Sequence, residues 1–479
     1  MPRADLRTKG SPMAVLVAAC LGLFTVFLQT TQTIGTLSAV QDDLHVAPAD
    51  LVWVPSMYTL VVASFVLGAG ALSDRWGRRR VFLAGAVAMG AGGLVLVLAS
   101  TLQTVLIGQA LAGLGGALIT PSSLALVSHA FPDPRRRAGA ISAWAATSGL
   151  GLAIGPVTAG LALRWWTWHA AFWLNVALGA VAALVALARV EESRVPGGRP
   201  DWAGQILGTA GLALFIYWLI DGGHHGYTAA RSLASLAGAL LLLGLFVAVE
   251  LRRESPMLDL RLMRDPSYSA SLLLAATVLF GFVGVSLLQV LWLQRVRGLS
   301  ALEVGVQLLA EFVTFIAASV AAGVLVRKWG PRPLIIAGLL LAASGAALFA
   351  TVEPGDTFTA YAPALVVFGL GCGLANAPST ALGVSHVPRG REGEASGTVN
   401  AARQVGAVLG TSILGTLMTS RFTDRLTAGV KSPAVAFTDA VGYAAWTGAA
   451  VLVVGTLTGV ALLTLAGRRA GAAAYEAAG

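Results

Sequence analysis

The chain is a succession of apolar runs, each about as long as a bilayer is thick. A helix rising 1.5 Å per residue needs roughly 20 apolar residues to cross about 30 Å of hydrocarbon. Fourteen segments meet that length: 13–37, 51–72, 81–100, 103–130, 138–161, 170–189, 203–221, 232–251, 269–292, 301–326, 333–351, 360–385, 396–418 and 439–465. They are continuously apolar, without the alternation of barrel strands, so each is expected to satisfy its own backbone as a helix. Of 479 residues, 56% are hydrophobic and 11% charged, which excludes an ordinary soluble globular chain.

A net charge of +9 would suggest nucleic acid as partner in a soluble protein. Here the cations sit in short loops between apolar runs, which reads as topology instead. Loops on the side of the N-terminus carry 24 of the 32 Lys and Arg, the opposite loops carry seven, and Arg403 falls inside a span. The positive-inside rule then places both termini in the cytoplasm. The first apolar run is too long for a signal-peptide core and lacks a cleavage site, so it is expected to remain as helix 1. Cys20 and Cys372 lie within apolar segments, and no disulfide framework is implied. The longest polar stretch, about 191–201, reads as a linker, leaving no soluble domain. Abundant arginine, alanine and glycine suggest a GC-rich bacterial genome, and hence the bacterial cytoplasmic membrane.

Between the second and third runs lies Gly70-Ala-Leu-Ser-Asp74-Arg75-Trp-Gly77-Arg78-Arg79-Arg80. Four arginines and an aspartate between two spans must lie in water at a bilayer face. A cluster serving topology alone would not need Asp74. This spacing resembles the signature loop between helices 2 and 3 of major facilitator superfamily transporters. A worn echo, Gly323-Val-Leu-Val-Arg327-Lys-Trp-Gly330-Pro-Arg332, lacks the aspartate. Two such loops, one per half, fit an internally repeated transporter.

Fourteen spans resemble the drug:proton antiporter branch, which has two extra helices between its halves. Gly151-Leu-Ala-Ile-Gly155-Pro156-Val-Thr-Ala-Gly160 is similar to the motif associated with exporters, and Trp168 to Asn175, Asp201 to Gly204, Pro256 to Asp259 and Gly393 to Gly406 look like further stretches of that branch. The resemblance implies an all-α membrane protein of the major facilitator fold. Residues 1–200 and 256–479 are then six-helix bundles, and 201–255 holds the two additional helices. It also implies that Asp74 and Arg78, with Gly70, Arg75 and Gly77, latch the cytoplasmic gate. Read physically, Gly151, Gly155 and Gly160 let a neighbouring helix approach closely. Pro156 removes a backbone donor and bends span five. Packing and gating are both open readings there, and Arg403 is grouped with the gate.

The chain departs from the branch at two points. Helix 1 of the branch usually carries an aspartate and helix 4 a buried arginine. Here the matching stretches read Leu28-Gln29-Thr30-Thr31 and Leu106-Ile-Gly-Gln109. At 1.5 Å per residue both glutamines lie roughly 9–12 Å below the outer surface. Two facing amides can satisfy each other without burying an ion; contact with other helices is the alternative. Thr25, Gln29, Gln32 or Thr33, and Thr36 form one polar stripe on span one. It is expected to face a substrate cavity, or else to bond neighbouring helices.

One acid lies deep. Glu311 is about ten residues, or about 15 Å, into span ten. An ionised carboxylate there costs several kcal/mol unless paired or hydrated, which makes it a proton carrier by chemistry alone. A structural pair with Arg403 is the competing reading, and Arg403 could also snorkel to the interface. Expected cavity residues are Gln29, Gln32, Thr33, Thr36, Tyr58, Gln109, Gln289, Trp292, Glu311, Phe315 and Asn376, with Phe280 and Phe312 adding aromatic surface. His129, His386 and His224-His225 lack a further ligand set, so no metal is expected. No Walker-type loop and no nucleophile–base arrangement stands out, so neither ATP-driven transport, an organic cofactor nor an enzyme is expected.

Together these features point to a secondary exporter of hydrophobic or amphipathic compounds. It would be proton-coupled, monomeric, lipid-embedded and without nucleic-acid partners. The alternatives are a lipid or lipid-like metabolite translocase, an uncoupled facilitator, or a receptor or scaffold that has lost transport.

Overall fold

Helix starts are written plainly in this sequence. Pro12, Pro134, Pro266 and Pro331 stand in the first turn of a helix, where the missing N–H would have had no partner. Thr101 and Ser300 close capping boxes with Thr104 and Glu303, and Asp133, Asp201 and Asp265 accept backbone N–H groups as N-caps. The computed structural model describes residues 11–46, 51, 53–194, 201–253, 260–385, 392–430 and 432–476.

Among these are fourteen long helices, one for each apolar run. They are α1 (Pro12–Leu44), α2 (Trp53–Trp76), α3 (Arg78–Val97), α4 (Leu102–Ala130), α5 (Pro134–Trp165), α6 (Trp173–Arg189) and α7 (Trp202–His225). There follow α8 (Ala230–Arg252), α9 (Pro266–Arg295), α10 (Ala301–Trp329), α11 (Pro331–Phe349), α12 (Phe358–Ser385), α13 (Glu392–Thr427) and α14 (Pro433–Glu476). A single helical turn, Trp168–Ala171, precedes α6 and breaks the sixth run at Phe172. His386, Pro256 to Asp259 and most of the linker lie outside the described residues.

Thirteen of these helices are long and apolar enough to cross a membrane; α13 is the exception among the fourteen. The end of the helices at which Gly397 of α13 meets Gly70 of α2 is called here the terminal face.

Packing follows the small residues. Gly92 and Gly108 bring α3 against α4, and Gly345 seats α11 against the Phe368 backbone of α12. Helix α9 packs along α13, α1 along α5, and α5 along α10. Helices α7 and α8 pair with each other, and α7 lies on the seam between α2 and α13. There Ile216 and Leu219 of α7 cluster with Ala63 and Val408.

Candidate functional site

A cavity of about 170 Å³ lies where α1, α2 and α5 meet α9, α10 and α13. Its wall is mainly apolar: Val26, Phe27 and Ile34 from α1, Leu279, Phe282 and Val283 from α9, and Leu308 and Phe312 from α10. Polar groups are few. Thr30, Thr31, Tyr58, Thr59 and Thr120 stand on one side, with Ser286 and Gln294 of α9 opposite. The largest polar share comes from α13, through Asn400, Arg403, Gln404 and Thr411. These recur every three to four residues along one stretch of α13, and with Ala407 they form a single face. That polar side of α13 meets a cavity and not lipid, while further charges, Arg421, Asp424 and Arg425, stand near the end of the helix.

Of the residues singled out in the sequence, Tyr58, Phe312, Pro156 and Arg403 line this cavity. The Tyr58 hydroxyl donates to the Val26 carbonyl at 2.8 Å, holding α2 to α1.

The polar stripe of α1 turns away from the cavity. Gln29 Nε2 donates to Gln109 Oε1 at 3.1 Å, and Gln109 Nε2 donates to Thr33 Oγ1 at 3.0 Å. Gln32 Nε2 donates to Thr158 Oγ1 and to the Ala171 carbonyl at 2.9 and 3.0 Å. Asn175 Nδ2 joins the two amides, donating to Gln32 Oε1 at 3.0 Å and to Gln29 Oε1. Thr36 bonds back to its own helix at the Gln32 carbonyl. This network ties α1 to α4, α5 and α6 with every member buried or half-buried, so the stripe serves interhelical bonding. The α1 side chains that do face the cavity belong to the neighbouring stripe, Thr30, Thr31 and Ile34.

Several further residues sit behind the wall. Phe315 stacks on Phe282, ring centroids 4.6 Å apart, one layer out from the cavity. Trp292 Nε1 donates to Thr438 Oγ1 at 3.0 Å and so pins α9 to α14. Phe280 offers its backbone to Gly410 of α13, and Asn376 is buried in α12 with no partner for its side chain among the described residues.

Glu311 is fully buried, yet it communicates with the cavity. Its Oε1 accepts from Ser286 Oγ at 2.7 Å, and Ser286 is itself a wall residue. Gln289, three residues on along α9, is buried with no hydrogen-bond partner for its side chain among the described residues. Arg403 instead donates through Nη1 to Thr380 Oγ1 at 3.1 Å. Glu311 and Arg403 do not pair. Sequence reasoning missed Ser286, Asn400, Gln404 and Thr411; the last three were marked by the polar spacing within span thirteen.

At the terminal face α13 meets α2 and α4 through small residues and backbone contacts. Gly397 of α13 lies against Gly70 and the Leu67 carbonyl of α2, and Ser396 Oγ donates to the Pro121 carbonyl of α4 at 3.1 Å. Asp74 accepts from Arg78 Nε and Nη2 at 3.0 and 2.8 Å, both residues buried and Arg75 beside them half-buried. Gly77 turns the chain between α2 and α3 at φ 113°. Glu192, after α6, accepts from the Arg79 and Arg80 backbone N–H groups, while the Arg79 side chain donates to the Ala186 and Leu187 carbonyls. Gly151 and Gly155 seat α5 on α1, whereas Gly160 faces Leu302 of α10.

The fold and sequence both have known counterparts. A profile of the Major Facilitator Superfamily matches residues 19–411. The multidrug resistance protein Stp of Mycobacterium tuberculosis is 34% identical over 412 residues, 85% of this chain and 76% of that one. The tetracenomycin C resistance and export protein of Streptomyces glaucescens is 32% identical over 426 residues, 88% of this chain and 78% of that one. Among solved structures, the human organic anion transporter MFSD10 superposes with a TM-score of 0.69 at 15% identity, covering 94% of this chain and 99% of that one. Fourteen long helices, the Asp74 loop and these matches make this chain a multi-pass membrane protein of the major facilitator superfamily.

Proposed function

We propose that the chain is a secondary exporter of hydrophobic or amphipathic organic compounds, of the drug:proton antiporter branch. The observation that carries this reading is the mainly apolar cavity on the seam between the two sets of helices, with a few polar groups to orient a ligand. Residues 1–200 and 256–479 act as the two rocking bundles, and 201–255 supplies two additional helices. Transport, not catalysis, is the activity, and both termini are cytoplasmic. Contacts such as Gly397 on Gly70 gather at the terminal face, which supports a conformation closed to the cytoplasm. Similarity to proteins named for multidrug resistance and for tetracenomycin C export supports drug efflux.

Protons enter through Glu311, with the Ser286 hydroxyl as its contact to the cavity. The test is efflux from proteoliposomes under an imposed pH gradient, native protein against Glu311→Gln. Efflux that follows the gradient and collapses in the variant is the expected result.

A second reading, an uncoupled facilitator or lipid translocase, is favoured by the neutral amide network at the positions where the branch carries charges. Gradient-independent efflux, unchanged in Glu311→Gln, would select it.

A further inference from the structure

Arg403 is the single charged side chain on the cavity wall among the described residues. It is 6% exposed, and its one bond there is to the Thr380 hydroxyl. A guanidinium carries five N–H donors, and no carboxylate stands among the wall residues to accept from them.

Glu311 is too distant to neutralise it. Gly406 of α13 rests on the Ala276 carbonyl of α9, and Gly410 rests on that of Phe280. Both contacts differ by 130 in residue number and that of Gly284 with Gly410 by 126, which puts Arg403 level with residues 273–277. Ser286, the partner of Glu311, is 9–13 residues farther along α9, about 14–20 Å at 1.5 Å per residue. An unpaired cation at such depth is costly unless water or an anion meets it. Between the two levels the α9 and α10 side of the wall is apolar, through Leu279, Phe282 and Phe312.

We propose that the cavity is built for amphipathic organic anions, whose acidic group docks on Arg403 while the apolar body lies along Leu279, Phe282 and Phe312. The inference rests on the exporter reading and narrows its substrate class. A cationic amphiphile would meet Arg403 and no carboxylate on the wall, since Glu311 stands behind Ser286.

The test uses two probes with one ring system, 8-anilinonaphthalene-1-sulfonate and neutral N-phenyl-1-naphthylamine. Binding is read by fluorescence on the full chain in phosphatidylcholine nanodiscs, with empty discs subtracted. The native protein is expected to hold the sulfonate about tenfold tighter than the amine, the scale of one charge-assisted contact. Arg403→Gln should remove that preference and leave the amine within about twofold, while Arg403→Lys should keep part of it. Equal affinities in the native protein overturn the proposal whether or not the variants fold, and so does a parallel loss of both probes in a folded Arg403→Gln. If proteoliposomes export the amine without any sulfonate preference, the anion site falls and the exporter reading stands. If neither probe binds or moves, both fall.

Discussion

Ser286 Oγ lies 2.7 Å from Glu311 Oε1, with the hydroxyl on the cavity wall and the carboxyl fully buried behind it. An acid sealed from the cavity could not exchange a proton with it; a hydroxyl on the wall supplies the contact. Ser286→Ala is therefore expected to slow pH-driven exchange by about tenfold, the worth of one hydrogen bond to a charged group. Ser286→Thr keeps the hydroxyl and should retain most of the rate. Initial efflux rates from proteoliposomes at several imposed gradients check both; equal rates in native and Ser286→Ala protein would make the contact incidental.

The amide network predicts a different kind of loss. Gln29 is bonded to Gln109 and Asn175 at once, so Gln29→Ala leaves the buried Gln109 Oε1 without its donor and takes one acceptor from Asn175 Nδ2. Stability should fall by about 2 kcal/mol, since an orphaned buried polar group loses its full solvation. Gln29→Asp alone leaves an unpaired carboxylate and should be at least as harmful. Adding Gln109→Arg should recover much of that loss, because the pair restores charge balance across the same contact. Thermal unfolding of the native protein, Gln29→Asp, Gln109→Arg and Gln29→Asp/Gln109→Arg in one detergent forms a double-mutant cycle, and additive losses would mean the two positions are not coupled.

How much of this was legible beforehand differs from residue to residue. All fourteen helices follow from apolar run length, because hydrocarbon leaves a polar backbone no alternative. The Gln29–Gln109 bond could be read as one of two options from depth alone. The direction of the α1 stripe could not: Gln29 and Thr30 are adjacent in sequence, and about 100° of helix rotation separates the network from the cavity. Trp292 and Phe315 misled for a related reason, since an aromatic side chain in a span packs as readily against a neighbouring helix as against a ligand. Glu311 has an internal counterpart that similarity alone did not reveal. The two glycine loops differ by 253, Gly70 to Gly323 and Gly77 to Gly330, and the same step carries Tyr58 to Glu311. In the first half that position lines the cavity through a phenol; in the second it hides an acid one layer back.

Closure at the terminal face rests on an absent side chain. A Cβ on Gly397 would come within 2.9 Å of the Leu67 carbonyl and 3.0 Å of the Gly70 Cα, both backbone atoms that cannot swing aside. Gly397→Leu is thus expected to wedge α13 from α2 and favour the form open at that face. With Cys20 and Cys372 replaced by Ser, a Thr120→Cys probe reports the change by its rate of labelling with a charged maleimide added from the terminal side. The rate should rise about tenfold or more, a shift of about 1.4 kcal/mol in the opening equilibrium. An unchanged rate would place closure elsewhere.

The turn between α2 and α3 offers the sharpest separation of backbone from charge. Gly77 sits at φ 113°, where an L side chain is strained, and an added Cβ would also meet the Glu192 carboxylate. Gly77→Ala should therefore destabilise by about 2 kcal/mol, part of it local strain and part the displaced carboxylate. Glu192→Gln tests the second part alone. Its carboxylate accepts from two N–H groups at the start of α3, Arg79 and Arg80, where a negative charge is favoured by the helix dipole. Losing that charge should cost about 1 kcal/mol and leave the turn intact. In Gly77→Ala/Glu192→Gln the losses should be less than additive, because the carboxylate that the new methyl displaces has already lost its charge. Strict additivity of the three unfolding energies would mean that Gly77 is needed for its backbone angle alone.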